Sequence, residues 1–311
     1  MSSYHFRFQD VVGRGSPRRY WHYLWGYLLP SVGFLAEKGL LPGRAGTLVF
    51  DSYGPVMDRV LDEYMSLLSL DYRLADSHRE TATSSVSEQR VPRWDLLQRS
   101  MAWVYLRPLP VSPGLTRRER WSTAVSLLRQ EKLWTVRSIL GRQNLLRHLD
   151  RIKRIITNAL PNQPVPKLSK QPFLILDRSP PPAEYAGQTD RTSREYGTAT
   201  RSLRGVDETI DRLTRLGYRA ERFEPGNASQ IVQINRYRQA RGVIAIRGAE
   251  LANMHWLTEG SRLIILRTQS KFSTHLYGMA QLLELDFHEL ACEVQRPDLS
   301  SFAMERYLGD P

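Results

Sequence analysis

Arginines follow several of the short apolar runs in the second half of the chain. Asp177 and Arg178 follow the run Phe173–Leu176, and Arg247 follows the run Gly242–Ile246. A guanidinium presents a rigid fork of donors that fits phosphate and carboxylate oxygens, and it keeps its charge. The sequence therefore predicts a site for an anionic group, provided that the fold brings these side chains together.

A parallel sheet would bring these arginines to one edge. Five runs in the second half are typical of strands: Phe173–Leu176, Tyr218–Phe223, Gly242–Ile246, Arg262–Leu266 and Phe287–Val294. Between them the sequence predicts helices over Val206–Leu216, from Asn227 or Ser229 to about Arg238, from Gly248-Ala249 onward, and over Ser273–Leu285. Such alternation is typical of parallel sheets, which bind ligands beyond the carboxyl ends of their strands. Arg178, Arg247 and Arg267 each follow a predicted strand end.

The first half of the chain has a more helical pattern. Helices are predicted over Tyr20–Leu35, Val56–Leu67, Arg117–Gln130 and Trp134–Leu149, strands over Gly46–Phe50 and Trp103–Leu106, and a loop over Leu70–Arg93. The segment Leu160–Pro172 (LPNQPVPKLSKQP) is rich in proline and lacks periodicity, which indicates a linker. We therefore predict two domains, at residues 1–165 and 166–311.

Composition restricts the compartment and the partners. The 311 residues carry a formal net charge of +12, which favours anionic partners, including an anionic membrane face. Cys292 is the single cysteine, so an intrachain disulfide is excluded and a reducing compartment is favoured. The sequence MSSYHFRFQDVVGRG lacks the apolar region of a secretory signal, and Tyr20–Phe34 is too short to span a bilayer. We expect a soluble, cytoplasmic protein, compatible with peripheral contact at the inner membrane face.

The segment Gln233–Leu266 resembles the signature of glycosyltransferase family 61, which includes capsular-polysaccharide, plant xylan and O-linked N-acetylglucosamine transferases. The matching residues are Gln233-Ile234, Ala240, Gly248-Ala249, Leu251 and Asn253, with Asp177-Arg178 and Arg204 before Asp207-Glu208 upstream, and Tyr20-Trp21-His22-Tyr23 with Leu28-Leu29-Pro30 near the N-terminus. The chain departs from the pattern at three places. Arg247 stands for the family's histidine, Ala245 for a glycine, and the acidic Glu250 follows Gly-Ala.

The resemblance implies an α/β fold of the GT-B-like type, with two Rossmann-like domains, a parallel sheet in each and an intervening cleft. It implies an N-terminal acceptor-side domain and a C-terminal nucleotide-sugar-binding domain. The implied activity is transfer of a sugar from a nucleotide-activated donor to a glycan or other hydroxyl acceptor, such as a lipid-linked one. No cofactor is expected, because the nucleotide sugar is a co-substrate. The expected place of this reaction is the biosynthesis of surface polysaccharide or glycoconjugates.

Each part of this chemistry has candidate residues. Arg178, Arg204 and Arg247 would stabilise the leaving diphosphate without a metal, in a transfer that inverts the anomeric carbon. The other donor-site candidates are Gly248 and Ala249 for close backbone approach, Leu251, and Asn253 for the nucleoside or for the turn itself. Candidates for the base are His22, which occupies the family's histidine position near the N-terminus, Asp51 at the end of a predicted strand, and Glu250. His22 has a structural alternative as an aromatic-packed histidine, and Asp51 has one as a turn residue or a helix cap.

Two other features of the sequence allow a different interpretation. Asp58, Asp62 and Glu63 lie at helical spacing, and we interpret them as a solvated helix face and expect no metal site. The net charge and the aromatics beside arginines, such as Arg18-Arg19-Tyr20-Trp21, also fit a non-enzymatic nucleic-acid-binding protein. No zinc-finger, helix-turn-helix or RNP-like string supports that alternative, so nucleic acid is not the expected partner.

Overall fold

The computed structural model describes residues 4–8, 19–41, 48–75, 87–91, 137–161, 164–178, 202–268, 274–292, 294 and 296–311. These residues form an α/β structure with two parallel sheets. The first compact unit contains the described residues of Met1–Leu96 and Leu145–Gln163, with Ser229–Ile231. The second contains those of Leu97–Asn144, Pro164–Ala228 and Val232–Pro311. The predicted helix Arg117–Gln130 and strand Trp103–Leu106 lie outside the described residues.

The first unit contains a four-stranded sheet in the order β3-β2-β1-β4. Its strands are β1 (Tyr4–Phe8), β2 (Leu48–Asp51), β3 (Tyr72–Ala75) and β4 (Ser87–Val91). Every neighbouring pair is parallel. Tyr4 pairs with Leu48 and Phe6 with Phe50, so that the two central strands are in register. Phe6 and Phe50 are fully buried and their rings stack, which places the core of this unit against the central strands.

Helices cover this sheet, and the first of them contains a π-helical turn, which is wider than a turn of α-helix. They are α1 (Tyr20–Tyr23), continued by a π-helical segment (Leu24–Leu28) and α2 (Leu29–Glu37), then α3 (Pro55–Leu67) and the part of α4 (Arg137–Ala159) from Leu145 onward. Pro30 explains the widening, because proline lacks an N–H and its ring clashes with the carbonyl four residues earlier, that of Gly26. On α4, buried Leu149, Ile152 and Ile156 face the core at helical spacing.

Two predictions for the first half were wrong. The segment predicted as the loop Leu70–Arg93 contains β3 and β4, and β1 was not predicted. Both β3 and β4 are edge strands of the sheet and have polar sequences (YRLA and SEQRV), so they lack the apolar run on which a strand prediction depends. The helix predicted to end at Leu149 continues to Ala159. The predicted strand at Gly46–Phe50 and helices at Tyr20–Leu35 and Val56–Leu67 are present, with slightly shifted ends.

The second unit contains a five-stranded parallel sheet in the order β6-β5-β7-β8-β9. Its strands are β5 (Phe173–Leu176), β6 (Ala220–Phe223), β7 (Gly242–Ile246), β8 (Arg262–Arg267) and β9 (Asp286–Ala291). All four neighbouring pairs are parallel, which confirms the prediction of a parallel Rossmann-like sheet. The chain first builds outward from β5 to β6, then reverses and adds β7 on the other side. This reversal makes the carboxyl ends of β5 and β7 the switch point where such sheets bind ligands.

The helices of the second unit match the predicted alternation. They are α5 (Val206–Arg215), α6 (Gln230–Arg238) and α7 (Thr274–Leu282), with a 3-10 segment at Ala249–Trp256. Asp207 and Glu208 lie in the first turn of α5, where the helix dipole favours acids. Gly217 follows the end of α5 with φ of +87°, a conformation that favours glycine.

The C-terminal segment completes the core of the second unit. A 3-10 turn (Leu299–Ser301) and α8 (Glu305–Leu308) bring Leu299, Met304 and Leu308 into the cluster formed by the strands and α5. Arg212 of α5 donates to the Ser300 carbonyl at 2.8 Å. The last residues are therefore part of the folded unit.

None of the helices in the described part of the chain is both long enough and apolar enough to cross a membrane.

Leu308→Ala should lower the free energy of unfolding by about 2–4 kcal/mol, because it removes a fully buried side chain and leaves a cavity. Leu216→Ala is the matched control, since that leucine is 46% exposed and should change stability by no more than about 0.5 kcal/mol. Urea denaturation followed by tryptophan fluorescence measures both. Equal effects of the two substitutions would contradict the structural role given to the C-terminal segment.

Candidate anion-binding site

A small pocket lies at the carboxyl ends of β5 and β7, the switch point of the second sheet. It is lined by Leu176, Asp177, Arg178, Ser202, Leu203, Ala245, Ile246 and Glu250. The polar part of this lining comes mainly from the segments that follow the two strands. The pocket therefore occupies the position where parallel α/β sheets place their ligands.

An arginine and a glutamate face each other in this pocket. Arg178 Nε lies 3.0 Å from Glu250 Oε1, and Arg178 Nη2 lies 3.2 Å from Glu250 Oε2. The guanidinium thus contacts the carboxylate with two parallel nitrogens, the geometry that arginine also uses for phosphate. The two side chains are only 13% and 23% exposed. Partial burial strengthens such a contact relative to an ion pair at the surface.

Gly248 leaves the room that this ion pair needs. A Cβ atom at that position would lie 2.9 Å from Arg178 Nη2 and closer still to the Glu250 carboxylate. The backbone of Glu250 is held separately, because the buried Tyr237 hydroxyl donates to its carbonyl at 2.7 Å. The fold therefore brings Gly248 and Glu250, two of the predicted site residues, into contact with Arg178.

Asp177 shapes the turn that carries Arg178. Its Oδ1 accepts from the Arg178 backbone N–H at 2.9 Å, and its Oδ2 lies 3.8 Å from Arg222 Nε. Arg222 also pairs with Asp207 at 3.0 Å. The Asp177 carboxylate is thus used within the protein, and it fixes the backbone of the residue whose guanidinium enters the pocket.

The other two arginines proposed for the diphosphate are placed differently. Arg204 is exposed, although Ser202 and Leu203 just before it line the pocket. Its backbone pairs with the segment at Asp298. Hydrogen bonds from the Ser300 hydroxyl and N–H lower the pKa of Asp298, and the charge of Arg204 acts in the same direction. Arg204 is therefore close to a carboxylate beside the site.

Arg247 is half-buried and directly precedes Gly248, at the end of β7. Its backbone N–H donates to the Leu266 carbonyl at 3.1 Å, which continues the pairing of β7 with β8. Arg267, at the end of β8, is buried and lies 3.5 Å from the equally buried Glu289 on β9. Arg267 therefore contributes to an ion pair between neighbouring strands.

Asn253 has a buried partner inside the fold. Its Nδ2 donates to Gln233 Oε1 at 2.7 Å, and Gln233 Nε2 donates to the carbonyls of Pro225 and Ala228 at 2.8 and 2.9 Å. The two amides tie the 3-10 segment to α6 and to the loop before it. Of the two roles proposed for Asn253, this geometry fits the structural one. Leu251 is fully buried in the same segment, and Ala249 begins it.

The base candidates of the first unit lie at the end of β2 and on α1. Asp51 Oδ1 is 2.8 Å from His5 Nε2, and Asp51 Oδ2 accepts from the Tyr53 hydroxyl at 3.3 Å. His22 is half-buried on α1. His5 was not among the predicted site residues, because nothing in the sequence relates two residues 46 positions apart. An alternating segment such as YHFRF, if interpreted as a strand parallel to Gly46–Phe50, would have brought them together.

The acidic residues on α3 have an identifiable local role. Asp58 accepts from the Ser52 hydroxyl at 2.5 Å and from the Tyr53 N–H at 3.1 Å, and so it ties the segment before α3 to the first turn of that helix. Among the residues that the structure describes, no group of three or more His, Cys, Asp or Glu side chains could hold a metal ion.

No protein-family model matches the chain, and no curated protein matches it. Function must therefore be argued from the geometry of the chain itself.

Asn253→Ala should lower the free energy of unfolding by about 1–3 kcal/mol, because the buried Gln233 carbonyl oxygen loses its donor. Asn227→Ala is a matched control, since Asn227 Nδ2 also donates to a side-chain oxygen at 2.7 Å, that of Glu224, but on the surface. It should cost no more than about 0.5 kcal/mol. Chemical denaturation measures both, and an Asn253→Ala variant as stable as the control would contradict the structural role of this amide.

Proposed function

We propose that the chain is a glycosyltransferase of the family 61 type, with a GT-B-like architecture. It would transfer a sugar from a nucleotide-activated donor to a hydroxyl of a glycan or lipid-linked acceptor, in the biosynthesis of surface polysaccharide or glycoconjugates. The proposed reaction inverts the anomeric carbon, uses no metal, and takes place in the cytoplasm or at the inner membrane face. The donor diphosphate would bind in the pocket at the ends of β5 and β7.

One observation carries this proposal. Arg178 makes a two-nitrogen contact with a carboxylate in a pocket at the switch point of a parallel sheet. The contact supports binding of an anion there, because phosphate and carboxylate oxygens present similar acceptors to a guanidinium. The location supports a ligand site, since open parallel sheets bind their ligands, nucleotides among them, at the switch point.

The chemistry of glycosyl transfer assigns the site a specific task. Negative charge develops on the diphosphate as the bond to the sugar breaks, and fixed cations lower the barrier by stabilising that charge. In the proposed complex Arg178 exchanges the Glu250 carboxylate for a phosphate group. Arg247 and Arg204 add positive charge, and the backbone of Gly248 and Ala249 approaches the donor closely. Because Arg247 is permanently charged, it serves as an electrostatic residue and not as a proton carrier.

The base of the reaction is a separate part of the proposal. His22, Asp51 and Glu250 are the candidates from the sequence. Glu250 already contacts Arg178, and its carboxylate would have to be released before it could accept a proton. Asp51 contacts His5, with Oδ1 and Nε2 2.8 Å apart.

Arg178→Ala should weaken the binding of the donor nucleotide by about 10- to 100-fold, because it removes two charge-assisted contacts. Arg215→Ala is the control, since Arg215 is an exposed arginine on α5 outside the pocket. The ligands to be titrated by calorimetry are UDP, GDP, CMP and their sugars, with a single-stranded oligonucleotide in the same panel. If wild type binds a nucleotide and Arg178→Ala binds it equally well, the donor is not in this pocket. Salt-sensitive binding of the oligonucleotide alone would favour the nucleic-acid alternative.

Glu250→Gln should tighten the same nucleotide several-fold. The substitution keeps the shape of the side chain, but it removes a negative charge that competes with phosphate for Arg178 and that would repel a diphosphate. Glu208→Gln is the matched control, because Glu208 is an exposed carboxylate on α5. Weaker binding by Glu250→Gln would show instead that the carboxylate is needed to orient Arg178 in the complex.

A further inference from the structure

Basic side chains gather at the amino-terminal edge of the second sheet, on the side opposite the pocket. All neighbouring strands of this sheet are parallel, so their amino ends lie along one edge. Cations directly precede β6 and β7, which flank β5, and others lie at the end of α5 and in the segment that leads into β5. We call this set the amino-edge cluster, and it consists of Lys167, Lys170, Arg215, Arg219 and Arg241.

Backbone and side-chain contacts join members of the cluster. The Phe173 N–H donates to the Arg219 carbonyl at 2.8 Å, and the Arg241 N–H donates to the Pro172 carbonyl at 2.9 Å. Arg219 Nη1 also donates to the Lys170 carbonyl at 2.9 Å. Three separate parts of the chain thus meet at the amino end of β5, and their cations form one surface.

The charge of this surface is not neutralised by neighbouring acids. The Arg219 guanidinium contacts the carbonyl of Lys170, and the Arg241 guanidinium contacts the carbonyl of Asp310. A carbonyl is uncharged, so both arginines keep their full positive charge. In the part of the chain that the structure describes, none of the five cations forms an ion pair with a carboxylate.

The cluster is limited to one part of the sheet. Further along the same edge, Arg262 at the start of β8 pairs with Asp286 at 3.0 Å. At the opposite edge, Arg178 pairs with Glu250 at 3.0 Å. The arginines at these other positions contact carboxylates, whereas the cations before β5, β6 and β7 keep their charge for an anionic partner.

Helix stabilisation explains only one member of the cluster. Arg215 lies in the last turn of α5, where the helix dipole favours a cation. The other four lie outside the α-helices, and Lys167, Lys170 and Arg219 are exposed to solvent. Their common position therefore calls for another explanation.

Exposed aliphatic side chains lie beside these cations. Leu216, directly after Arg215, is 46% exposed, and Val165, two residues before Lys167, is 41% exposed. Cations next to protruding aliphatic groups suit the interface of an anionic bilayer, where the charges meet headgroups and the aliphatic groups enter the acyl boundary. Single-stranded nucleic acid would instead require exposed aromatic rings for stacking. The aromatic residues at this edge, Phe173 and Tyr218, are buried.

We propose that the amino-edge cluster is a docking surface for an anionic membrane. Its lysines and arginines contact the phosphates of the lipid headgroups, and Leu216 and Val165 insert between the lipids. This inference does not rest on the proposed sugar transfer, because the cluster and the pocket lie at opposite edges of the sheet.

The first test measures binding of the full chain to lipid vesicles by flotation. One set of vesicles contains equal parts phosphatidylglycerol and phosphatidylcholine, and the other contains phosphatidylcholine alone. We expect at least about tenfold tighter binding to the anionic set. Raising NaCl from about 0.1 M to about 0.5 M should remove most of this preference, because salt screens exposed charges.

The second test removes three charges from the cluster and, as a matched control, three from the first unit. Each charge near an anionic surface contributes about fivefold to binding, so the cluster variant should bind anionic vesicles about 30- to 100-fold more weakly. The control variant loses the same charge from three exposed arginines of α4 and should stay within about threefold of wild type. Thermal melting verifies that both variants are folded. The cluster variant is Lys167→Gln/Lys170→Gln/Arg219→Gln, and the control is Arg147→Gln/Arg151→Gln/Arg154→Gln.

The third test concerns the aliphatic groups. Leu216→Gln should weaken binding to anionic vesicles by about 3- to 10-fold, because it removes an apolar group that enters the bilayer. Val232→Gln is the matched control, since Val232 is also 46% exposed but lies near the start of α6. It should leave vesicle binding unchanged.

Several results would overturn the membrane surface. Equal binding of wild type to neutral and anionic vesicles would do so, and so would equal losses in the two triple variants, which would reflect net charge alone. Binding of a single-stranded oligonucleotide through the cluster, without binding of vesicles, would assign the surface to nucleic acid instead. None of these results affects the donor pocket, because the cluster variant should bind the nucleotide as wild type does.

Discussion

The contact between Arg178 and Glu250 is the interaction on which the functional interpretation depends. It joins the segments that follow β5 and β7, and so it lies where the order of the second sheet reverses. A charged pair that is largely removed from water needs good geometry to offset the loss of hydration. The two-nitrogen contact, the space left by Gly248 and the Tyr237 anchor provide that geometry here.

Much of the second unit could be predicted from the sequence. Runs such as FLIL and GVIAI are apolar on both faces, as expected of central parallel strands, and all of their residues are buried. The first unit was predicted less completely, because β3 and β4 are polar edge strands and β1 is a short alternating segment. β1 and β3 pair with β2, and β4 pairs with β1. These strands therefore depend on contacts with distant parts of the chain, which the local sequence does not show.

The site shows the same division between local and long-range information. The position of Arg178 after a strand is visible in the sequence, and so is the position of Gly248. That Glu250 meets Arg178 across 72 residues, and that His5 meets Asp51 across 46, follows only from strand order and register. Asn253 belongs to the sequence signature, yet its buried hydrogen bond to the Gln233 side chain explains it by structure alone. A residue that the sequence assigns to a binding site can thus have a structural role.

The exchange of partners by Arg178 is the central claim, and a crystal structure with the bound nucleoside diphosphate tests it most directly. We expect phosphate oxygens within about 3 Å of the Arg178 guanidinium and the Glu250 carboxylate displaced from it. A nucleotide bound elsewhere, with the pair between Arg178 and Glu250 intact, would contradict the assignment of this pocket to the donor.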